Sequence, residues 1–259
     1  MRCVRATRYV LPLREGGSLP ALIEADDDGM YVLKFHGAGQ GPKVLIAELI
    51  CAEIGRVLEL PIPEVVLVDL DPALGNNEPD GEIQSLVQGS AGLNLAIDFL
   101  PGALAFDPLD RLSVSSELAS AIVWFDAYLT NVDRTPRNTN MLLWHRQLWL
   151  IDHGAALYVH HSWDNYLQRA LSPFSNIREH VLLPVANDIR QADRLLAPRI
   201  TPSLIEDIVA RIPDEWLLQH TPFEDVQAER QAYSDYLRAR IESPRAFVEE
   251  AINVRTQGL

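Results

Sequence analysis

The stretch FDAYLTNVDRTPRNTNMLLWHRQLWLIDHGA, residues 125–155, decides the fold expected for this chain. Three oxygen-bearing side chains, Asp133, Asn138 and Asp152, are spaced along it. The first two lie in a polar segment, and the third ends a pair of apolar runs. The prediction of both fold and chemistry starts from where these three side chains lie relative to the apolar runs.

The apolar runs, residues 141–144 and 148–152, are rich in residues that favour β-strands. A short polar segment, residues 145–147, joins them, and this pattern predicts a β-hairpin. If all three polar residues form the turn, Asn140 faces Asp152 across the hairpin.

The open end of this hairpin is predicted to collect hard oxygen ligands. With the three-residue turn, Asn138 lies two residues from Asn140 on the same face. Mg²⁺ prefers oxygen donors, usually one or two carboxylates together with substrate phosphates and water. Asn138 and Asp152 are therefore predicted to bind magnesium together with ATP. Asn140 is the alternative amide ligand, because a two-residue turn would shift the register by one.

Asp133 lies in a segment, residues 131–138, that is too rich in Pro, Asn and Arg for the interior of a helix or strand. The segment is predicted to be a loop. Phosphoryl transfer uses a loop Asp that accepts the proton of the acceptor hydroxyl, and an Asn a few residues later that binds metal. Asp133 and Asn138 match this order. Asn131 and Arg134 are expected to fix the loop or to contact phosphate.

A second group of candidate residues lies upstream. The run at residues 30–35 alternates as a strand does, so that Lys34 points away from the face shared by the larger apolar residues. A segment with helical apolar spacing follows at residues 44–60. Glu48 lies on its first turns and is predicted to pair with Lys34, as a strand Lys and a helix Glu do in kinases. Glu53 is the alternative partner.

Two glycine-rich segments are candidates for contacting phosphate. Gly16, Gly17 and Ser18 lie between strand-like runs, which suits a hairpin tip whose backbone N–H groups close over phosphates. An ordinary hairpin turn has the same composition. The second segment, residues 37–44, has a proline where a nucleotide-binding Walker loop needs glycine, so it is interpreted as a connector.

The segments NVDRTPRNTNML (131–142) and LWLIDHGAAL (148–157) resemble the catalytic core of the HipA-like kinases and, more distantly, of type II phosphatidylinositol 4-kinases. YVLKF and the AEL of the next helix agree with this resemblance, which spans roughly residues 10–160. The resemblance implies ATP and magnesium as cofactors and transfer to a Ser or Thr hydroxyl. It also implies that Asp133 is the base, Asn138 a metal ligand and Asp152 the metal-binding aspartate.

Departures from the family limit what is carried over. A full-length HipA toxin is longer and has an extra N-terminal subdomain, whereas this chain resembles the short, stand-alone HipA-like kinase domains. Toxin activity and antitoxin binding are therefore not expected. His153 follows Asp152 where ordinary protein kinases have Phe, so regulation by that Phe is not expected either.

The predicted fold class is α+β, a two-lobed protein-kinase-like fold with a β-rich N-lobe at residues 1–100 and a mainly helical C-lobe at residues 101–259. Strands are predicted at residues 65–70 and 82–89. The helical spacing of residues 116–129 predicts a helix that leads directly into the loop of Asp133. Further helices are predicted at residues 202–211, 223–241 and 244–255.

Composition and charge limit the classes of function that are expected. The chain has 259 residues, of which 47% are hydrophobic and 22% charged, as in ordinary globular proteins. Its net charge of −14 repels phosphate backbones and anionic bilayers, so no nucleic acid partner and no stable membrane association are expected. No apolar run reaches the roughly 18 residues of a membrane span. Cys3 and Cys51 alone support no disulfide framework, and a cytoplasmic protein is expected.

The function predicted from the sequence is an ATP- and Mg²⁺-dependent phosphotransferase that acts on Ser or Thr of an unidentified protein substrate. In it, Lys34 orients the phosphates, Glu48 holds Lys34, and Asp133 positions the acceptor hydroxyl. The alternatives are a lipid or small-molecule kinase, a nucleotide-binding pseudokinase and an AMP transferase. The oligomeric state has no signal in the sequence.

Overall fold

Strands that bury one apolar face form a closed barrel in the first part of the chain. The computed structural model describes residues 1–13, 19–39, 41–76, 78–217, 221–242 and 244–258. The barrel strands are β1 (Cys3–Pro12), β2 (Ala21–Ala25), β3 (Met30–Lys34), β4 (Val65–Leu70) and β5 (Gly92–Asp98). Their order is β1-β2-β3-β5-β4, and parallel pairing of β1 with β4 closes the barrel. Ile23, Leu33 and Val66 are fully buried in its core.

Helix α1 (Pro42–Val57) connects β3 to β4. Gly41 precedes it with a φ of 73°, a conformation that favours glycine, and Pro42 occupies the first helical turn, where its missing N–H costs nothing. The helix is buried from Leu45 to Gly55, because its residues pack with the strands on one side and with the larger helical core on the other. Any side chain on its middle turns is therefore held in a fixed position.

One predicted strand is wrong: residues 82–89 belong to helix α2 (Gly81–Gly89). The Asp80 side chain caps this helix by accepting a hydrogen bond from the Glu82 N–H at 3.0 Å. Ile83 and Val87, four residues apart, are its buried residues, which is helical rather than strand spacing. The strand of this region is β5, which begins at Gly92.

The rest of the chain is mainly helical and contains one small sheet. The sheet has the order β6-β7-β8, with β6 at Leu104–Ala105, β7 at Met141–Trp144 and β8 at Gln147–Leu150. The helices are α3 (Ser116–Tyr128), α4 (Tyr166–Ala170), α5 (Ile189–Leu196), α6 (Pro202–Val209), α7 (Asp214–Leu217), α8 (Val226–Ile241) and α9 (Ala246–Gln257). Among the described residues, no helix combines the length and the apolar character that crossing a bilayer requires.

A buried arginine fixes the point where α3 ends and the polar loop begins. Arg240, on α8, donates from Nε to the Tyr128 carbonyl at 2.8 Å and from Nη2 to the Ala127 carbonyl at 2.8 Å. Its Nη1 donates to the Ala170 carbonyl at 3.0 Å. The last carbonyls of a helix have no intrahelical partner. A cation at this end also interacts favourably with the helix dipole. Arg240 thus joins the C-terminal ends of α3 and α4 to α8.

Replacing Arg240 with methionine should lower the free energy of unfolding by about 3 kcal/mol, because several buried carbonyls lose their donor. Urea denaturation followed by circular dichroism measures this change. The matched control is Arg238→Met on the same helix. The Arg238 guanidinium group pairs with exposed Glu206, so this variant should lower the free energy of unfolding by about 1 kcal/mol or less. An equal loss of unfolding free energy in the two variants would show that the buried carbonyl contacts do not contribute to stability.

Candidate active site

The hairpin of β7 and β8 has a shorter turn than the sequence suggested. Trp144 pairs with Gln147, and the turn consists of His145 and Arg146, with φ values of 49° and 64°. Positive φ at both positions is typical of a type I′ turn, whose twist matches that of the flanking strands. The three-residue turn is therefore wrong and the two-residue alternative holds, because Gln147 belongs to the strand.

The shorter turn moves Asn140 away from Asp152. The Ile151 N–H donates to the Asn140 carbonyl at 3.0 Å, so Asn140 faces Ile151. The amide of Asn140 instead donates to the Asp133 carbonyl at 2.9 Å. Asn140 therefore fixes the loop, while Asn138 stays exposed at the same end of the hairpin as Asp152.

Lys34 lies between two carboxylates. Its Nζ makes a short contact with Glu48 Oε1 and lies 2.7 Å from Asp152 Oδ1. Lys34 and Glu48 are buried, whereas half of the Asp152 side chain, 50%, is exposed. The alternative partner Glu53 pairs with Arg211 instead. The structure thus joins the β3 lysine, the α1 glutamate and the aspartate that follows β8.

The electrostatics keep Lys34 and Glu48 ionised. Burial alone would lower the pKa of Lys34, but Glu48 and Asp152 outweigh it and raise that pKa above its ordinary value. Burial alone would raise the pKa of Glu48, yet Lys34 and His153 hold that pKa well below its usual range. His153 Nδ1 lies 3.5 Å from Glu48 Oε2, and its ring meets the Phe125 ring edge-on. The residue after Asp152 therefore packs behind Glu48.

A buried aspartate that the sequence did not single out organises the polar loop. Asp126, on the last turn of α3, accepts from Arg134 Nε at 2.5 Å and from Asn131 Nδ2 at 2.9 Å. His180 Nε2 lies 2.9 Å from the same carboxylate. Because His180 Nδ1 accepts the Leu182 N–H at 3.1 Å, the ring hydrogen is on Nε2 and points to Asp126.

The charges of this cluster follow from its burial. Burial would raise the pKa of Asp126, but Arg134 and His180 hold it well below its usual range. Burial lowers the pKa of His180, in agreement with a neutral ring. Arg134 and Asn131 therefore fix the loop, one of the two roles that the sequence left open. An aspartate in the apolar second half of helix α3, eight residues before an arginine, was the available signal.

Asp133 lies at the surface of this fixed loop. Its N–H donates to Asn131 Oδ1 at 3.1 Å. Its Oδ2 accepts from Asn138 Nδ2 at 2.8 Å and from Asn140 Nδ2 at 3.3 Å. The structure thus places the predicted base beside the predicted amide ligand. Asp133 and Asn138 keep an oxygen each, Oδ1 in both, to which no protein group donates among the described residues.

A cleft of about 600 Å³ lies between the barrel and the hairpin, and Lys34 and Asp152 are among the residues that line it. Its walls are largely apolar and include Val32, Ile97, Leu100, Leu142 and Ile151. Such a cleft suits a flat apolar ring with an anionic tail. Gly16, Gly17 and Ser18, predicted to contact phosphate, lie outside the described residues.

The oxygen donors fit a divalent metal shared with a ligand rather than a protein cage. Across the described ranges, no group of three or more His, Cys, Asp or Glu side chains is placed to hold a metal ion. Asp152 and Asn138 offer one carboxylate and one amide oxygen, the small donor set typical of Mg²⁺ that also binds phosphates. His160 is buried and contacts the Tyr233 hydroxyl at 3.0 Å, so it is a packing residue.

Asp126→Asn should lower the free energy of unfolding by about 3–5 kcal/mol at neutral pH, because it leaves the Arg134 charge buried without a counter-charge. Folding lowers the pKa of Asp126, so its carboxylate stabilises the fold above the unfolded-state pKa of about 3.9, and this contribution is lost as the pH falls. The difference between variant and wild type should therefore shrink from about pH 5 to about pH 3.

Urea denaturation at several pH values measures this difference. Asp133→Asn is the control, because it makes the same chemical change on the partly exposed side of the loop and should leave stability nearly unchanged. A difference for Asp126→Asn that stays constant across the acid range would contradict the charge argument.

Comparison with known proteins agrees with this geometry. The family model described as HipA-like kinase matches residues 8–246. No curated protein matches the chain. Its structure resembles that of the Helicobacter pylori proinflammatory kinase CtkA, with a TM-score of 0.57 and 15% identity over 99% of each chain. A second similar structure is a Golgi casein kinase with Mn and ADP bound, with a TM-score of 0.49 and 12% identity over 100% of this chain and 74% of that one.

The match to the family covers most of the chain, and the likeness to CtkA shows that the barrel and the helical part together form a two-lobed protein-kinase-like fold. The chain belongs to the HipA-like kinase family and is a kinase.

Proposed function

We propose that this kinase transfers the γ-phosphoryl group of ATP, with Mg²⁺, to a Ser or Thr hydroxyl of a protein substrate. The observation that carries the proposal is the placement of Lys34 against Glu48 and Asp152 at the cleft. This arrangement supplies a fixed cation for phosphates and a partly exposed carboxylate for metal.

Lys34 is suited to orient phosphates. An ammonium group has three N–H donors, and Glu48 and Asp152 account for two of them. No other group accepts from this ammonium among the residues that the structure describes, so the third donor is available to a phosphate oxygen. Glu48 prevents the lysine side chain from turning away, and the raised pKa of Lys34 keeps the group charged at neutral pH. The apolar part of the cleft beside residues 98–100 accommodates the adenine ring.

Asp152 and Asn138 would hold the metal. Asp152 gives one oxygen to Lys34 and keeps the other, while Asn138 uses its NH₂ group on Asp133 and keeps its amide oxygen. When bound, Mg²⁺ would neutralise charge on the transferred phosphoryl group. The half-exposed state of Asp152 leaves its carboxylate accessible to a hydrated ion.

Asp133 is proposed to orient the acceptor hydroxyl and to accept its proton. The amides of Asn138 and Asn140 hold Asp133 Oδ2, which leaves Oδ1 for the hydroxyl group. The loop beneath it is anchored through Arg134 on buried Asp126. A protein acceptor agrees with the family resemblance and with the net charge of −14, which disfavours nucleic acid and anionic lipid.

Asp133→Asn should reduce phosphoryl transfer by about 10²–10⁴-fold, because the loop loses its proton acceptor, while ATP affinity changes little. Intact-mass spectrometry after incubation with ATP and Mg²⁺ reports the transfer, and a nucleotide titration reports the affinity. The control is Asp207→Asn, the same change on the exposed face of α6. Normal transfer by Asp133→Asn would exclude Asp133 as the base.

The same mass measurement separates the alternative functions. Phosphoryl groups gained by the wild type and not by Asp133→Asn support the kinase mechanism and give a modification site to map. Added AMP would instead indicate nucleotidyl transfer. If the protein binds ATP but modifies neither itself nor an added mixture of Ser- and Thr-containing peptides, the proposal of a protein Ser/Thr kinase fails.

Asp152→Ala should remove the magnesium dependence of ATP binding, because the metal loses its carboxylate ligand. Calorimetric titration of ATP in the presence of Mg²⁺ or of a chelator measures this. The wild type should bind more tightly with Mg²⁺, and the variant should bind equally in the two conditions. A variant that still gains affinity from Mg²⁺ would show that other residues hold the metal.

A further inference from the structure

A groove with three arginines lies in the helical part of the molecule, outside the nucleotide cleft. It has a volume of about 540 Å³ and is lined by Arg111, Arg178 and Arg255 together with apolar Leu183 and Val254. The arginines come from separate parts of the chain: two short 3₁₀ segments and the C-terminal turns of α9. Folding therefore creates a concentration of positive charge that the sequence does not show.

None of these guanidinium groups pairs with a carboxylate within the described part of the chain. Arg111 and Arg178 each donate to a carbonyl oxygen three residues earlier, at 3.3 and 3.2 Å, and Arg255 donates to the side chain of Asn187. These contacts orient the side chains but leave most of their donors without a partner. Arg190 differs, because Glu249 binds it with two hydrogen bonds.

Like charges held together without counter-charges repel one another. Such a cluster is unexpected in a chain with 36 acidic and 22 basic side chains, where carboxylates for pairing are abundant. An anion in the groove would satisfy the free donors and remove the repulsion, and arginine is well suited to bind carboxylates with two parallel hydrogen bonds. The groove is thus complementary to acidic groups.

One wall of the groove is joined directly to the proposed catalytic loop. Three residues after Arg178, the Val181 N–H donates to the Arg134 carbonyl at 3.0 Å. Between them, His180 contacts Asp126, which anchors the same loop. The Arg178 segment therefore lies against the loop that carries the proposed base.

The segment that leads to Arg111 is joined to the other end of that loop. Phe106, five residues before Arg111, accepts a hydrogen bond from Thr139 Oγ1 at 3.2 Å and donates its N–H to the Met141 carbonyl at 3.0 Å. The chain segments that lead to Arg111 and Arg178 thus contact both ends of the loop that carries Asp133.

We propose that the groove binds an acidic segment of the protein substrate, with Asp or Glu side chains on Arg111, Arg178 and Arg255. This inference rests on the proposed function, since it names the class of substrate for that site. The groove volume and the apolar Leu183 and Val254 in its lining suit a peptide, because cations from three separate segments can each meet a different carboxylate.

The test measures peptide binding separately from catalysis. The probe is a fluorescein-labelled peptide with one Ser flanked by several Glu residues, and the reference peptide has every Glu replaced by Gln. Fluorescence anisotropy gives the affinity of both for the wild type and for Arg111→Gln/Arg178→Gln/Arg255→Gln. If each partly exposed contact is worth about threefold in affinity, the triple variant should bind the acidic peptide about thirtyfold more weakly.

The matched control is Arg5→Gln/Arg8→Gln/Arg190→Gln, which removes the same charge from exposed arginines that are paired with carboxylates. It should bind the acidic peptide almost as the wild type does. Equal losses in the two triple variants, or equal affinity of the wild type for the two peptides, would overturn the groove proposal, because either result would indicate only nonspecific charge attraction.

Phosphorylation of the same peptides distinguishes the groove from the proposed function. If the proposals both hold, the wild type should phosphorylate the acidic peptide with a lower KM than the Gln peptide, and the groove variant should lose this preference at unchanged ATP affinity. Equal KM values for the two peptides would refute the groove and leave the kinase proposal intact. Selective binding of the acidic peptide without any phosphoryl transfer would refute the proposed acceptor and leave the groove proposal intact.

Discussion

The contact of Lys34 with Glu48 and Asp152 is the interaction on which the rest of the structure depends. Removing charges from water costs several kcal/mol per ion, so a buried lysine is stable only when its counter-charges are held in place. One counter-charge is carried by a helix and the other by a hairpin. The barrel, the helix and the hairpin must therefore be fixed relative to one another for the cleft to exist.

Contacts along α1 meet this requirement for Glu48. At its start, Lys43 donates to the His160 carbonyl at 2.5 Å, and at its C-terminal end Arg199 donates to the last carbonyls of the helix. Midway, Glu53 pairs with Arg211 from the helical part. The sequence has only two lysines, Lys34 and Lys43, and each ties α1 to another part of the molecule. These contacts therefore hold the glutamate inward.

The sequence predicted the structural features that are determined by residues close together along the chain. The order of Asp133, Asn138 and Asp152 indicated a loop followed by a hairpin, and the structure has both. Helix α6 begins at Pro202 after a Thr201 cap, as its sequence signal predicted. The roles assigned to the site residues stay predictions, since geometry alone brings them together without testing what they do.

Other features required information that is distant along the chain. The turn length depended on whether Gln147 joins a strand, and the strand pairing decides this. Residues 82–89 are an exception, because the helical spacing of Ile83 and Val87 and the Asp80 cap are local signals of helix α2. Asp126 and Arg134 are only eight residues apart, but the third partner, His180, lies 54 residues from Asp126 and has no signal in the sequence.

The structure uses aspartates with basic partners in two different environments. Asp126 is fully buried and accepts hydrogen bonds from Arg134, Asn131 and His180. Its carboxylate therefore stabilises the loop. Asp152 has half of its side chain exposed, and among the described residues Lys34 is its one charged partner. A hydrated ion can reach only the second carboxylate, because binding a metal at the first would require breaking a buried network. Exposure therefore separates the aspartate that holds the scaffold from the one that is free to take part in chemistry.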